Sequence, residues 1–190
     1  MSEISVYSVA IYPVLSVMEK VKAMKDELAS VAGWYSSRNS KAHITICEFN
    51  VIGERELLAI KSQLLKLCTS EPPLDLTFDR IDVYENGVIC ILPDKESEII
   101  LKQCMKRIQQ GMKVKLTHRS YNPHISIGRR LNHEQLSLAR DLFMDTKVNL
   151  NFICDRIVLR VRVNEGQFVV IGEFVFQSNS QSRDEQLSMF

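Results

Sequence analysis

"KAHITICEF" (41–49) and "YNPHISIGR" (121–129) decide how this chain is read. Each contains His, an aliphatic residue, a hydroxyl residue and a second aliphatic residue. Side chains of a strand alternate between its two faces. Ile44 and Ile46 therefore turn toward a core, while His43 and Thr45 share the opposite side. In the second stretch Ile125 and Ile127 go inward, and His124 and Ser126 face away.

The surroundings of the two stretches match as well. "ISVYSVAIYP" (4–13) reads as a strand ended by Pro13. "SVMEKVKAMKDELASVAG" (16–33) then has helical spacing through Val17, Val21, Met24 and Leu28. Ser16 with Glu19 has the form of a capping box, and Gly33 of a C-terminal stop. After the first His strand, "ERELLAIKSQLLKLC" (54–68) is a second amphipathic helix, broken by "EPP". A hairpin follows, with its turn at Glu85-Asn86-Gly87. The second half runs the same course. It has a helix between Asp94 as N-cap and Gly111, a short His strand, and a helix with a capping box at Asn132 and Gln135. "LNFICDRIVLRVRV" (150–163) then reads as the first arm of a hairpin turning at Asn164-Glu165-Gly166. His43 to Gly87 spans 44 positions and His124 to Gly166 spans 42, so the two frames nearly coincide.

These signals predict an α+β fold of two pseudo-symmetric βα lobes with antiparallel sheets facing a central cleft. Residues 1–177 form a single bilobal domain built from two repeats, about 1–93 and 94–177, with strands free to exchange between lobes. The polar segment 178–190 reads as a disordered tail.

Apolar residues make up 45% and charged residues 25% of the 190, the ordinary mix of a globular protein. No apolar run is long enough to span a bilayer, and the N-terminal stretch reads as a strand rather than a signal peptide. The five cysteines, without CxxC spacing, suit buried free thiols, a reducing cytoplasm and no structural zinc. A net charge of +1 argues against duplex DNA as a partner but not against a small phosphate-bearing substrate. Arg160 and Arg162 in "RIVLRVRV" (156–163) read as the solvent face of a strand.

Two imidazoles and two hydroxyls meeting across a cleft suit phosphodiester cleavage without metal. One neutral imidazole takes a proton from the attacking oxygen, and one protonated imidazole gives a proton to the leaving oxygen. The hydroxyls donate to non-bridging phosphoryl oxygens. A single half-buried strand histidine is more often structural. The repetition of the pattern, at equivalent stations, favours function here. His118 and His133 lack the pattern and read as exposed loop and helix-start residues.

On those residues the chain resembles the two-histidine (2H) phosphoesterase superfamily. Its "HITI" and "HISI" are most similar to the paired signatures of the 2′,5′-RNA ligase and cyclic phosphodiesterase branch. The resemblance spans nearly the whole chain. It implies cleavage of 2′,3′-cyclic phosphates or 2′,5′-linked nucleotide or RNA termini with no cofactor or metal, and in some members reversible RNA joining. It implies His43 as general acid and His124 as general base, with Thr45, Ser126 and Arg129 on the phosphate. Ser126 stands for the commoner Thr, and no long RNA-gripping insertion is present. The protein is expected to act as a monomer.

Tyr121 is placed to stack on a base or to pack in the Asn-Pro turn, and the sequence does not choose. Arg38 and Lys41 can reach phosphate, although a solvated loop is the plainer reading of both. Cys47 continues the His43 face, with a buried thiol the safer reading. The alternative to an enzyme is a non-catalytic nucleotide or RNA-end binding module using the same cleft. A metal hydrolase would need further ligands that the sequence does not supply at recognisable spacing.

Overall fold

The computed structural model describes residues 4–163 and 167–178. In chain order the elements are β1 (Ile4–Ile11), α1 (Leu15–Ala32), β2 (Ile44–Ile52), α2 (Glu54–Thr69), β3 (Leu74–Tyr84) and β4 (Val88–Pro93). They continue with α3 (Lys95–Gly111), β5 (Leu116–Arg119), β6 (Ile125–Gly128), α4 (His133–Phe143), β7 (Leu150–Cys154), β8 (Arg156–Val163) and β9 (Gln167–Val175). The strands form two antiparallel sheets, of order β5-β2-β1-β8-β9 and β6-β4-β3-β7. The two His stretches therefore lie in different sheets. The hairpin after each one joins the sheet of the other: β3–β4 pairs with β6, and β8–β9 pairs with β1.

Helix α2 packs on the five-stranded sheet, α1 and α4 on the four-stranded one, and α3 touches both, at β2 on one side and at β3 and β4 on the other. On β1 the alternation is clear. Tyr7, Val9 and Ile11 enter the hydrophobic core, with Phe49 and Leu159 beside them. The small residues Ser8 and Ala10 point to the other face, where they are buried but lie outside that core. Small side chains on a central strand leave room above it, and that face becomes a concavity. Among the described residues no helix is long and apolar enough to cross a membrane.

Most boundaries follow local signals. Asp94 caps α3 by accepting from Ser97 N at 2.7 Å. Asn132 and Gln135 make the complete capping box of α4. Gly33 ends α1 with φ 72°. Gly87 closes the β3–β4 turn with φ 83°, and a Cβ there would stand 2.5 Å from Leu131 O. No other residue fits that turn without displacing the backbone.

Several expectations need correction. The α1 capping box does not form: the N-cap is Val14, without a side-chain bond, because the helix starts directly after Pro13. Ser16 is already inside the first turn, where its backbone cannot act as a cap. "LNFICDRIVLRVRV" is two strands in two sheets, parted at Asp155: Cys154 pairs with Leu74, whereas Ile157 pairs with Phe174. Strand β5, which carries His118, was not expected. Ser178, read as the start of the tail, is tied to the body of the fold: its N donates to Glu71 O at 3.1 Å, next to Gln177 N, which donates to Cys68 O at 3.1 Å. The expected turn at 164–166 and the rest of the tail lie outside the described residues.

Candidate active site

Both His strands carry a bulge at the same station. Ala10 faces Thr45 and Val9 faces Cys47, which leaves Ile46 as an extra residue in β2. Cys90 faces Ser126 and Ile89 faces Gly128, which leaves Ile127 extra in β6. A bulge turns the alternation over by one residue. Cys47 is consequently buried, and Glu48 returns to the side of His43 and Thr45.

Each bulged carbonyl is met by groups tied to the approach of the other motif. Ile46 O accepts from Ser120 N at 3.0 Å and from Gln109 Nε2 at 2.9 Å. Gln109, buried on α3, also donates to Ser120 O at 2.7 Å. In the mirror arrangement, the Tyr35 hydroxyl lies 3.0 Å from Lys25 O and 3.3 Å from Ile127 O. Arg129 N donates to Ser37 Oγ at 2.9 Å. The segment entering motif one is thus tied to motif two, and the reverse.

The imidazoles are set alike. His43 Nδ1 is 2.7 Å from Lys41 O, and His124 Nδ1 is 2.9 Å from Asn122 O, in each case the carbonyl two residues back. A carbonyl only accepts, so Nδ1 holds the proton in both rings and Nε2 is left for chemistry.

His43 and Thr45 line an open concavity of about 380 Å³, together with Tyr12, Glu48, Arg129 and Arg160. Trp34, Lys41 and Phe168 extend the lining. Tyr12 follows Ile11 and continues the face of Ser8 and Ala10, its ring centroid 6.3 Å from that of His43. Arg160 corrects the sequence reading: its side of β8 is the one expected, but that side faces the concavity rather than solvent. The residue is 2% exposed. Its Nη2 donates to Ser8 Oγ at 2.8 Å, and its Cζ lies 4.9 Å from the Phe168 ring centroid and 5.6 Å from that of Tyr12. Its Nε is buried and has no partner among the described residues. Burial pulls the Arg160 pKa downward.

The His43 ring keeps some solvent contact but is surrounded by protein. Loss of hydration, then the Arg160 charge, push its pKa down to about 3 against the opposing pull of the Lys41 carbonyl. His43 is therefore neutral at ordinary pH. Lys25 lies under the same wall. It is 1% exposed, and its Nζ is 2.8 Å from Ser40 O, 3.0 Å from Ser40 Oγ and 3.4 Å from Ser37 O. Burial, then the Arg129 and Lys22 charges, lower its pKa to about 8.

Of the residues singled out in the sequence, His43, Thr45, Arg129 and Lys41 line the concavity. His124 and Ser126 are half-buried on the other sheet and lie outside that lining. Tyr121 is 68% exposed and also outside it. Arg38 is turned to Asp26 on α1, 3.4 Å away. Sequence reasoning missed Tyr12, Trp34, Glu48, Arg160 and Lys25. Two of them had a signal: Lys25 falls four residues after Val21 in the buried stripe of α1, and Arg160 alternates with Leu159 and Val161. Among the described residues, no set of three or more His, Cys, Asp or Glu gathers as metal ligands.

A family model described as the 2′-5′ RNA ligase superfamily matches residues 14–166. Among solved structures the chain is similar to Escherichia coli LigT, at 13% identity and TM-score 0.67, over 93% of this chain and 100% of that one. It is similar to the protein TT0787 of Thermus thermophilus, at 14% identity and TM-score 0.65, over 91% and 98%. It is similar to Kluyveromyces marxianus Usb1, at 10% identity and TM-score 0.52, over 87% and 96%. The mixed fold with two antiparallel sheets is thus the LigT-like one. LigT has been crystallised with 3′-AMP, NADP+, ATP and phosphate. No curated protein matches the chain.

Proposed function

The chain belongs to the 2′-5′ RNA ligase superfamily, and from that premise we propose that it is a metal-independent phosphodiesterase acting on 2′,3′-cyclic phosphates or 2′,5′-linked nucleotide and RNA termini. The observation that carries the reading is the repetition of local geometry at His43 and His124. Each has the same bulge three residues on and the same Nδ1 bond to a carbonyl two residues back. A structural histidine needs one such arrangement; an acid and a base acting on one phosphoryl group need two.

In the proposed step a water oxygen attacks phosphorus and gives its proton to a neutral Nε2. The P–O bond to the leaving ribose oxygen breaks, in the ring of a cyclic phosphate or in the 2′,5′ link, and that oxygen takes a proton from the other, protonated Nε2. Thr45 and Ser126 donate to the non-bridging oxygens, and Arg129 holds the charge already present in the ground state. The depressed pKa of His43 supports its role as the base, with His124 as the acid. That is the reverse of the order the resemblance implies. A free-state pKa far below neutrality leaves His43 almost no proton to give. The nucleotide complexes of LigT support a nucleotide as ligand here too.

The test is turnover with EDTA present, using nucleoside 2′,3′-cyclic phosphates and 2′,5′-linked dinucleotides. Cleavage that resists EDTA and disappears in His43→Ala and in His124→Ala is expected. Binding without turnover would leave a nucleotide-binding module, and turnover that requires added divalent metal would refute the mechanism.

A further inference from the structure

The reaction as proposed leaves one feature of the cleft unused. Arg160 is nearly inaccessible, has no carboxylate within ion-pair distance among the described residues, and keeps an unpartnered buried Nε. A buried guanidinium usually stands against a carboxylate. Glu48 lies two strands away, on the far side of Ser8, and its ion pair is with Arg162 at 3.7 Å. Arg160 is instead braced by apolar faces: Phe168 at 4.9 Å and Tyr12 at 5.6 Å. This bracing fixes the planar fork with donors still to be filled, the arrangement that suits an incoming phosphoryl group.

Charge count points the same way. The concavity is lined by Lys41, Arg129 and Arg160 against Glu48 alone, so its fixed charge is two positive, whereas the whole chain carries only +1. His43 is neutral and adds nothing. A cyclic phosphate diester brings a single negative charge, which Arg129 and the hydroxyls can already meet. The Tyr12 ring flanks both His43 and Arg160, so the guanidinium forms a station next to the reacting centre.

We infer that Arg160, braced by Phe168 and Tyr12, is a second phosphoryl subsite, and that the substrate class is a nucleotide bearing another phosphoryl group beside the scissile one. This rests on the phosphodiesterase reading and narrows it. A nucleoside cyclic phosphate with a 5′-phosphate, or an oligonucleotide end, fits the cleft better than a bare nucleoside cyclic phosphate.

Binding can be measured without turnover, because the single tryptophan of the chain, Trp34, lines the concavity and reports occupancy by fluorescence. The probes are adenosine 2′-monophosphate and adenosine 2′,5′-bisphosphate, titrated into the full chain at fixed low salt. The wild type should bind the bisphosphate tighter by roughly tenfold or more, as expected for a charge-assisted contact. Arg160→Gln should bring the ratio close to one, and Arg160→Lys should restore part of it. Equal binding of the two probes by the wild type would overturn the subsite even if Arg160→Gln failed to fold. A ratio that survives in folded Arg160→Gln would overturn it as well. Turnover of cyclic phosphates without any bisphosphate preference would remove the subsite and leave the enzyme. The preference without turnover would retain the subsite and remove the enzyme.

Discussion

Lys25→Met tests how the wall of the cleft is held. Lys25 is 1% exposed, and its pKa falls from 10.5 to about 8. Between those values the unfolded chain holds a proton that the folded one has released. Stability therefore rises with pH from about 8 to 10.5 on account of this group, by about 3 kcal/mol in full. An opposing effect is larger. The buried thiols of Cys47, Cys68, Cys90 and Cys154 are pushed up from 9 to about 12, and that of Cys104 is raised as well, all chiefly by burial. For them the folded state holds the proton, so their contribution is complete below pH 9 and is lost as pH rises above it. Five such groups outweigh one lysine, and the wild type should lose stability in alkali. The lysine shows only as a difference. Between pH 7.5 and 9.5 the wild type should lose about 2 kcal/mol less than Lys25→Met, as measured by urea unfolding followed by circular dichroism. The variant also leaves Ser37 O and both Ser40 oxygens without the ammonium, so the 35–41 wall should loosen and KM rise. Parallel loss of stability in the two proteins would refute the buried, partly deprotonating lysine.

His43→Ala and His124→Ala should each lower kcat by roughly two to four decades, with the double variant little worse; wild-type-like turnover in either would refute the shared mechanism. Because His43 is held neutral down to about pH 3, kcat/KM should not fall as pH is lowered from 7 to 5. A limb near 6.5 that moves with changes at His43 would reverse the assignment of base and acid. Thr45→Val and Ser126→Ala should mainly lower kcat, by roughly 3–4 kcal/mol of transition-state stabilisation, whereas Arg129→Ala should mainly raise KM. Gln109→Leu removes a positioning residue that touches no substrate. It should cost about 1–3 kcal/mol of stability and lower kcat with KM little changed, while lost stability with unchanged kcat would make Gln109 structural only.

The sequence made the elements legible where the cause is local. The stripe of α3, the caps at Asp94 and Asn132, and the turn at Gly87 all act within a few residues, and each sits where its pattern indicates. What escaped depends on distant partners. Alternation runs unbroken through Asp155, yet Leu74 claims one side of it and Phe174 the other. Alternation also gave Arg160 its face but could not say what lies above that face. The same holds for Glu48. It reaches the cleft only because Ile46 bulges, and nothing in "HITICEF" marks a bulge. Hydrophobic spacing favours Met24 over Lys25 for the buried stripe, since an ammonium is buried there only if carbonyls from the 35–41 loop come to meet it.

The two His stretches lie in separate sheets, so their alignment is a packing problem that no single ladder solves. Strands are about 4.8 Å apart, and a slip of the two sheets by one spacing would carry an imidazole out of hydrogen-bond reach of a shared phosphoryl group. The bulged carbonyls offer the remedy. Ile46 O is bound from the segment that enters the second motif, and the Ile127 end of β6 from the segment that enters the first. A displacement of either motif therefore strains the approach to the other, and the pair moves together or not at all. The two ties differ in kind. On the Gln109 side every donor is neutral and amide-based. On the Tyr35 side the same loop also rests on an ammonium whose pKa is about 8. Opening that wall returns Lys25 to its higher, ordinary pKa, so lowering the pH through 8 should loosen the wall around His43 before it disturbs the approach to His124, and the duplicated site should fail first on the side where the cations gather.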